Sequence, residues 1–188
     1  GPPAVGKTTL AEHLAAELPA GLIREDYAGN PFLAESYLQR GRSALAAQLY
    51  FLFSRLGQLN LQTWPEAGTA VIDYGFCQDA IYAAANLTAE ELKLYRELAD
   101  GADRLVKAPD VMVLLDGDEQ LLLERIARRG RRFERTFTAD FLRSLREAYR
   151  RVAAGAAFPV IEVDVRQVDL MARADLDELR GRIEEALR

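Results

Sequence analysis

The chain begins GPPAVGKTTL, Gly1 to Leu10, and the rest of the reading turns on this stretch. Gly1, Gly6, Lys7 and Thr8 satisfy G-x-x-x-x-G-K-[ST]. In that pattern the glycines let backbone N–H groups turn inward around phosphate oxygens, the lysine reaches the outer phosphates, and the hydroxyl meets Mg²⁺. Thr9 belongs to the same cofactor-binding stretch. The spacing predicts a helix from about Lys7 to Leu18, whose positive dipole end adds to the anion site. The plain alternative is a Gly/Pro-rich turn ahead of an amphipathic helix, which leaves the four matched positions unexplained. Such a loop is normally delivered by a β-strand. A run of apolar residues is therefore expected ahead of Gly1, making the first strand missing from the chain as given.

Working outward, short β-rich runs alternate with longer helical patterns. Strands are predicted in GLIRE (Leu22 to Glu25), TAVIDY (Thr69 to Tyr74), DVMVLLD (Asp110 to Asp116) and PVIEVDV (Pro159 to Val165). Their apolar runs suit strands covered on both faces. Helical patterns occupy Ser43 to Leu61, Thr88 to Ala99, Glu119 to Arg129 and Ala139 to Ala154, with Thr88 and Thr138 as N-caps. The alternation predicts an α/β fold of three layers, a central parallel sheet flanked by helices, in a single domain over residues 1–188.

Composition narrows the function classes. No apolar run approaches a membrane span, and the first residues lack a charged-then-apolar signal segment. Cys77 is the single cysteine and His13 the single histidine, so neither has partners of its kind for a disulfide or a metal site. A cytoplasmic protein is expected, without a membrane partner. The net charge of −5 argues against a protein built to coat nucleic acid.

Three polar features stand out. In SALAAQLYFLFSRLGQL, Gln48 and Arg55 interrupt an apolar helix seven residues apart, nearly on one face. That face either touches solvent or a neighbouring helix, or it forms a recognition edge in which the amide offers a donor beside an acceptor and the guanidinium a rigid donor fork. IDYGFCQD puts Asp73 at a strand's end, where ligands of open α/β sheets gather, and Asp79 in the first turn of the next helix. Capping and helix-dipole stabilisation are the local alternatives for these two. RIARRGRRFER gathers Arg125, Arg128, Arg129, Arg131, Arg132 and Arg135 around Gly130, which reads as a lid, about residues 125–137, closing over polyphosphate rather than as a solvated helix face.

These stretches together resemble the deoxynucleoside kinase family, in particular bacterial deoxyadenosine and deoxyguanosine kinases. The similarity runs through GPPAVGKTT, EDYAGNPFLAESY, QLYFLFSRLGQL, DYGFCQDAIYAAANLTAEELKLY, PDVMVLLDG and LLERIARRGRRFE. The resemblance implies a P-loop kinase that phosphorylates a deoxynucleoside 5′-hydroxyl with ATP and Mg²⁺, usually as a homodimer. The apolar Leu45 to Leu61 helix offers a dimer seam, although core packing explains the same pattern.

By the same resemblance, Glu25 is the carboxylate that accepts the 5′-hydroxyl proton, and Tyr37 and Glu134 share the 3′-hydroxyl. Gln48, Arg55 and Asp79 read the base, Asp73 helps Thr8 hold Mg²⁺, and Arg129 and Arg131 are lid arginines beside Lys7 at the phosphates. There are two departures from the family pattern. Tyr74 and Gly75 stand where arginine and serine often follow the strand-end acid, and Asp26 where proline often follows the catalytic glutamate. Gln, Arg and Asp together can meet adenine, guanine or cytosine. The rival readings are another small-molecule or nucleotide kinase on the same scaffold, a non-catalytic nucleotide-sensing module, and a single-strand nucleic-acid binder, which would want more stacking aromatics.

Overall fold

The computed structural model describes residues 1–38, 43–64 and 68–188. Helix α1 (Lys7–Glu17) leaves the N-terminal loop and turns into β1 (Ala20–Ile23), α2 (Leu33–Leu38) and α3 (Ala44–Gln58). Strand β2 (Thr69–Ile72) leads to α4 (Gln78–Asn86) and α5 (Ala89–Ala99), then β3 (Met112–Asp116), α6 (Glu119–Arg129), α7 (Ala139–Ala154), β4 (Val160–Asp164) and α8 (Arg173–Ala186). This is the mixed α/β architecture with parallel strands that the alternation predicts.

The strands pair as two parallel ladders. β1 lies on β2 from Ala20↔Thr69 to Ile23↔Ile72, and β3 lies on β4 from Met112↔Val160 to Asp116↔Asp164. Among the described residues no ladder joins the two pairs, so packing carries the connection. Val5 of the loop and Leu10 and Leu14 of α1 pack in one cluster with Leu115, Ile161 and Val163 of the second pair, and Val71 of the first pair packs against the same cluster. Leu122, Ile126, Leu142, Leu179 and Ile183 close it from α6, α7 and α8.

Local chemistry sets the helix ends. Thr88 and Glu91 form a reciprocal capping box on α5, Asp118 caps α6 through the Leu121 N–H, and Thr138 caps α7 through the Phe141 N–H. Gly130, at φ 75°, ends α6 in the left-handed region, and a 3₁₀ turn over Arg132–Thr136 follows. The six-arginine stretch therefore splits into a helix end and a tight turn.

Two boundaries differ from the sequence expectation. β1 starts at Ala20 and stops at Ile23, because the Glu25 N–H is taken by the Asp73 carboxylate instead of a strand neighbour. α3 stops at Gln58, because Asn60 turns the chain by accepting from the Gln62 N–H and bridges to Val106. Helices α2 and α8 carry no strong apolar stripe and were not predicted. Only Leu33 of α2, and Leu179 and Ile183 of α8, are buried.

Candidate active site

The site forms where the loop, the C-terminal ends of β1 and β2, and helices α2, α3, α4 and α6 meet. Ala4 (φ 59°) and Gly6 (φ 113°) both take positive φ, the kind of left-handed turn from which anion-binding backbone nests are built. A Cβ at Gly1 would lie 2.1 Å from the Leu115 carbonyl oxygen, so backbone already occupies that space. Gly6 lies at a positive φ that disfavours any side chain, and a Cβ there would also meet the Leu170 side chain at 2.7 Å. Both glycines shape the loop from behind. Lys7 folds over it, its Nζ donating to the carbonyls of Gly1 (2.8 Å) and Pro2 (2.9 Å). Burial pushes the Lys7 ammonium down to about 8. Arg125 braces the loop by donating to the Val5 carbonyl.

Asp73 joins the loop to the strand ends. Its Oδ2 accepts from Thr8 Oγ1 at 2.7 Å and its Oδ1 from the Glu25 N–H at 2.8 Å. Thr8 and Asp73 thus present two hard oxygen donors side by side at the start of α1, which suits Mg²⁺, an ion that takes one or two protein ligands and fills its octahedron with phosphate and water.

Glu25 Oε1 accepts from the Arg55 guanidinium and from Gln78 Nε2 at 2.7 Å. The second arm of Arg55 pairs with Asp79, and the guanidinium lies 4.8 Å from the Phe51 ring and 5.6 Å from the Tyr74 ring. Burial works against the charge of Arg55, but Glu25 and Asp79 more than offset it and keep its pKa raised. Asp79 itself is pushed up by burial, with Arg55, Tyr95 and Gln48 pulling the other way.

Tyr37 stacks on Phe133 (5.9 Å between centroids) and meets Phe137 edge-on, while its hydroxyl accepts from Asn86 Nδ2. Burial raises the Tyr37 pKa, so the phenol stays protonated and able to donate. Glu134, 3% exposed, takes a two-point contact from Arg129 and a longer one from Arg131, which also lies over the Tyr27 ring at 3.8 Å.

One cavity is lined by Lys7, Thr8, Glu25, Tyr37, Gln48, Arg55, Asp73, Arg129, Arg131 and Glu134 together, residues that are scattered from end to end of the sequence up to the lid. Asp79 is the exception among the residues expected to read the base. It is 2% exposed and sits behind Gln48 and Arg55, its carboxylate spent on those two and on Tyr95. The polar face of α3 therefore does pair with a neighbouring helix, through Asp79, while Gln48 and Arg55 still reach the cavity. Thr9 lies in the first turn of α1 and does not line it. Sequence reading missed Gln78, Tyr82 and Asn86, which line the cavity from α4 at i, i+4 and i+8. That spacing on one helix face was the available signal.

Comparison with known proteins agrees with this geometry. Residues 1–186 match the deoxynucleoside kinase family. Deoxyguanosine kinase of Bacillus subtilis (strain 168) is 26% identical over 100% of this chain and 95% of its own length. Deoxyadenosine/deoxycytidine kinase of the same organism is 29% identical over 89% of this chain and 81% of its own. The structure of deoxyadenosine kinase from M. mycoides with bound dATP superimposes with a TM-score of 0.82 at 18% identity, covering 98% of this chain and 96% of that one. With a match that takes in the phosphate loop, the strand ends and the arginine turn alike, the chain belongs to the deoxynucleoside kinase family of phosphotransferases.

Proposed function

We propose that Glu25 is the general base that takes the proton of a deoxynucleoside 5′-hydroxyl as that oxygen attacks the γ-phosphorus of ATP, giving the 5′-monophosphate and ADP. One observation supports this above the others: the same cavity is lined by Lys7 and Thr8 of the phosphate loop, by the Glu25 carboxylate, and by Gln48 and Tyr37. A carboxylate between a phosphate cradle and a set of base- and sugar-sized polar groups is placed for proton transfer, which depends first on hydrogen-bond reach.

The remaining residues divide the work. Lys7, Arg129 and Arg131 stabilise negative charge on the transferring group. Thr8 and Asp73 would hold Mg²⁺, which when bound neutralises the β- and γ-phosphates. Tyr37 and Glu134 bind the 3′-hydroxyl, and Gln48 and Arg55 meet the base with Asp79 holding them from behind. Closure of the turn over Arg132–Thr136 excludes water, which would otherwise compete as acceptor. A cytoplasmic setting fits a chain with one cysteine and no helix, among the described residues, long and apolar enough to cross a membrane.

Kinetics with matched deoxy-, ribo- and dideoxynucleosides test the assignment. Glu25→Gln should lower kcat by about 10²- to 10⁴-fold with little change in nucleoside KM. The preference for a 3′-hydroxyl should shrink in Tyr37→Phe, and base discrimination should shrink in Gln48→Ala. Equal reaction of all nucleosides in the wild type would leave only a generic P-loop kinase.

The lowered Lys7 pKa has a pH signature. Below about 8 the ammonium is charged in the free enzyme and attracts phosphate; above it the charge is lost, so kcat/KM for ATP should fall as pH rises through 8. At saturating ATP the bound phosphates hold the proton on and kcat should stay flatter. Lys7→Arg, charged throughout, should remove the alkaline fall, and a wild-type profile flat to high pH would count against the burial argument.

We also propose a homodimer. Phe53 of α3 (62% exposed) and Leu94 and Leu98 of α5 leave apolar surface on two helices that pack together, and a second copy would cover it. Light scattering should give twice the 20.9 kDa chain mass, and Phe53→Glu should halve it. A wild-type monomer at every concentration would refute the pairing.

A further inference from the structure

Gln78 has no part in the roles assigned above, yet among the described residues it is the one neutral side chain bonded to Glu25. It is 5% exposed at the first turn of α4. Its Nε2 donates to Glu25 Oε1 at 2.7 Å, and its Oε1 accepts from the Tyr149 hydroxyl of α7 at 2.8 Å. Tyr149 is 4% exposed and does not line the cavity.

The orientation of this amide follows from chemistry. An ionised carboxylate only accepts, so the NH₂ end of Gln78 must face Glu25 and the carbonyl end must face a donor. Tyr149 supplies that donor from the helix that packs on α4. A flipped amide would set oxygen against oxygen at Glu25 in a buried setting, where an unpaired polar group is costly.

The consequence falls on the two oxygens of Glu25. Arg55 and Gln78 both donate to Oε1, while Oε2 has no hydrogen-bond partner among the described residues, and Glu25 lines the cavity. Oε2 is thus the oxygen left for an incoming hydroxyl. Arg55 alone fixes a charge pair but leaves the carboxylate free to swing about that contact. A second donor from a different helix removes the swing.

We propose that Gln78, locked by Tyr149, is a positioning residue that fixes the Glu25 carboxylate so that Oε2 points its lone pair at the substrate hydroxyl. The role rests on Glu25 being the general base. It also makes α7 a contributor to the chemistry without any contact to substrate, since Tyr149 acts only through Gln78. The charged groups that act on Glu25 include Arg55 from α3, Asp73 just past β2, Lys7 from α1 and Asp79 from α4, and they are left in place in every variant below.

The test compares Glu25→Gln, Gln78→Met, Gln78→Glu and Tyr149→Phe in the full chain, with MgATP and the deoxynucleoside that the wild type uses best, by single-turnover rate, nucleoside KM and thermal midpoint. Gln78→Met should slow the chemical step by about 10-fold with KM kept within about twofold, because a misaimed base loses rate and not binding. Gln78→Glu keeps the size of the side chain but replaces its donor with a second acceptor, so the single-turnover rate should fall at least as far as in Gln78→Met. Tyr149→Phe should slow the step in the same direction but less, and it decides the matter if the Gln78 variants do not fold.

A purely structural bridge would lower the thermal midpoint while leaving the single-turnover rate where it was, and that result overturns the proposal. So does an inactive Glu25→Gln beside Gln78→Met and Tyr149→Phe at wild-type rate, which would leave the base assignment standing. A Glu25→Gln enzyme at wild-type rate would instead remove the base assignment and the positioning role together.

Discussion

A guanidinium held at 2% exposure is the constraint around which this site is built. Taking an arginine out of water costs on the order of several kcal/mol, and the cost is offset only where geometry and partners are good. Arg55 meets the requirement with a carboxylate on each arm, Glu25 past the end of β1 and Asp79 at the start of α4, and with aromatic rings of Phe51 and Tyr74 near its faces. Its Nε has no hydrogen-bond partner among the described residues. Because each carboxylate is needed to balance the buried charge, α3, α4 and the β1 end are bound to one relative position. Removing one member would strand a charge in the interior, which is why the elements around the cavity are expected to hold their arrangement before substrate arrives.

The phosphate side is organised by a second carboxylate. Asp73 reaches back to Thr8 on α1 and sideways to the Glu25 backbone, so the loop and Glu25 share one anchor. The two short ladders give little rigidity by themselves. It is the packing of Val5, Leu10 and Leu14 against β3, β4 and α6 that seats the loop above the strand ends. On the far side Arg129 and Arg131 are held by Glu134 and not left to repel one another, and Tyr37 packs on Phe133 beside that glutamate. Opposite charges thus alternate from the loop, through Glu25 and Arg55, to the lid, a pattern suited to a substrate pair that carries polyphosphate at one part and a neutral nucleoside at the other.

Much of this was legible in the residues. The loop motif gave α1 and its anion site, the apolar runs gave β2, β3 and β4 to within a few residues, and the caps Thr88 and Thr138 marked α5 and α7. Gln48 and Arg55 could be seen as misfits on an apolar helix, and the structure explains them by their shared partner Asp79. What escaped did so for local reasons. Arg24 and Glu25 continue the look of a strand, but the Glu25 N–H is taken by a side chain from 48 residues away. α8 buries only Leu179 and Ile183 among many charges, which leaves little periodic signal. Asp79 looked like a direct contact because sequence cannot say which of three converging polar groups stands in front. Gln78 was passed over as the neighbour of a more conspicuous aspartate, since its importance depends on Tyr149, 71 residues further on.

The most direct test of the central claim is a crystal structure with a deoxynucleoside and an unreactive ATP analogue bound together. The account predicts the 5′-oxygen at about 2.6–3.2 Å from the Glu25 carboxylate, on its Oε2 side, with the base edge on Gln48 and the analogue's phosphates over Lys7 and Thr8. A nucleoside bound outside this cavity, or one whose 5′-oxygen faces away from Glu25 while the phosphates occupy the loop, would contradict it.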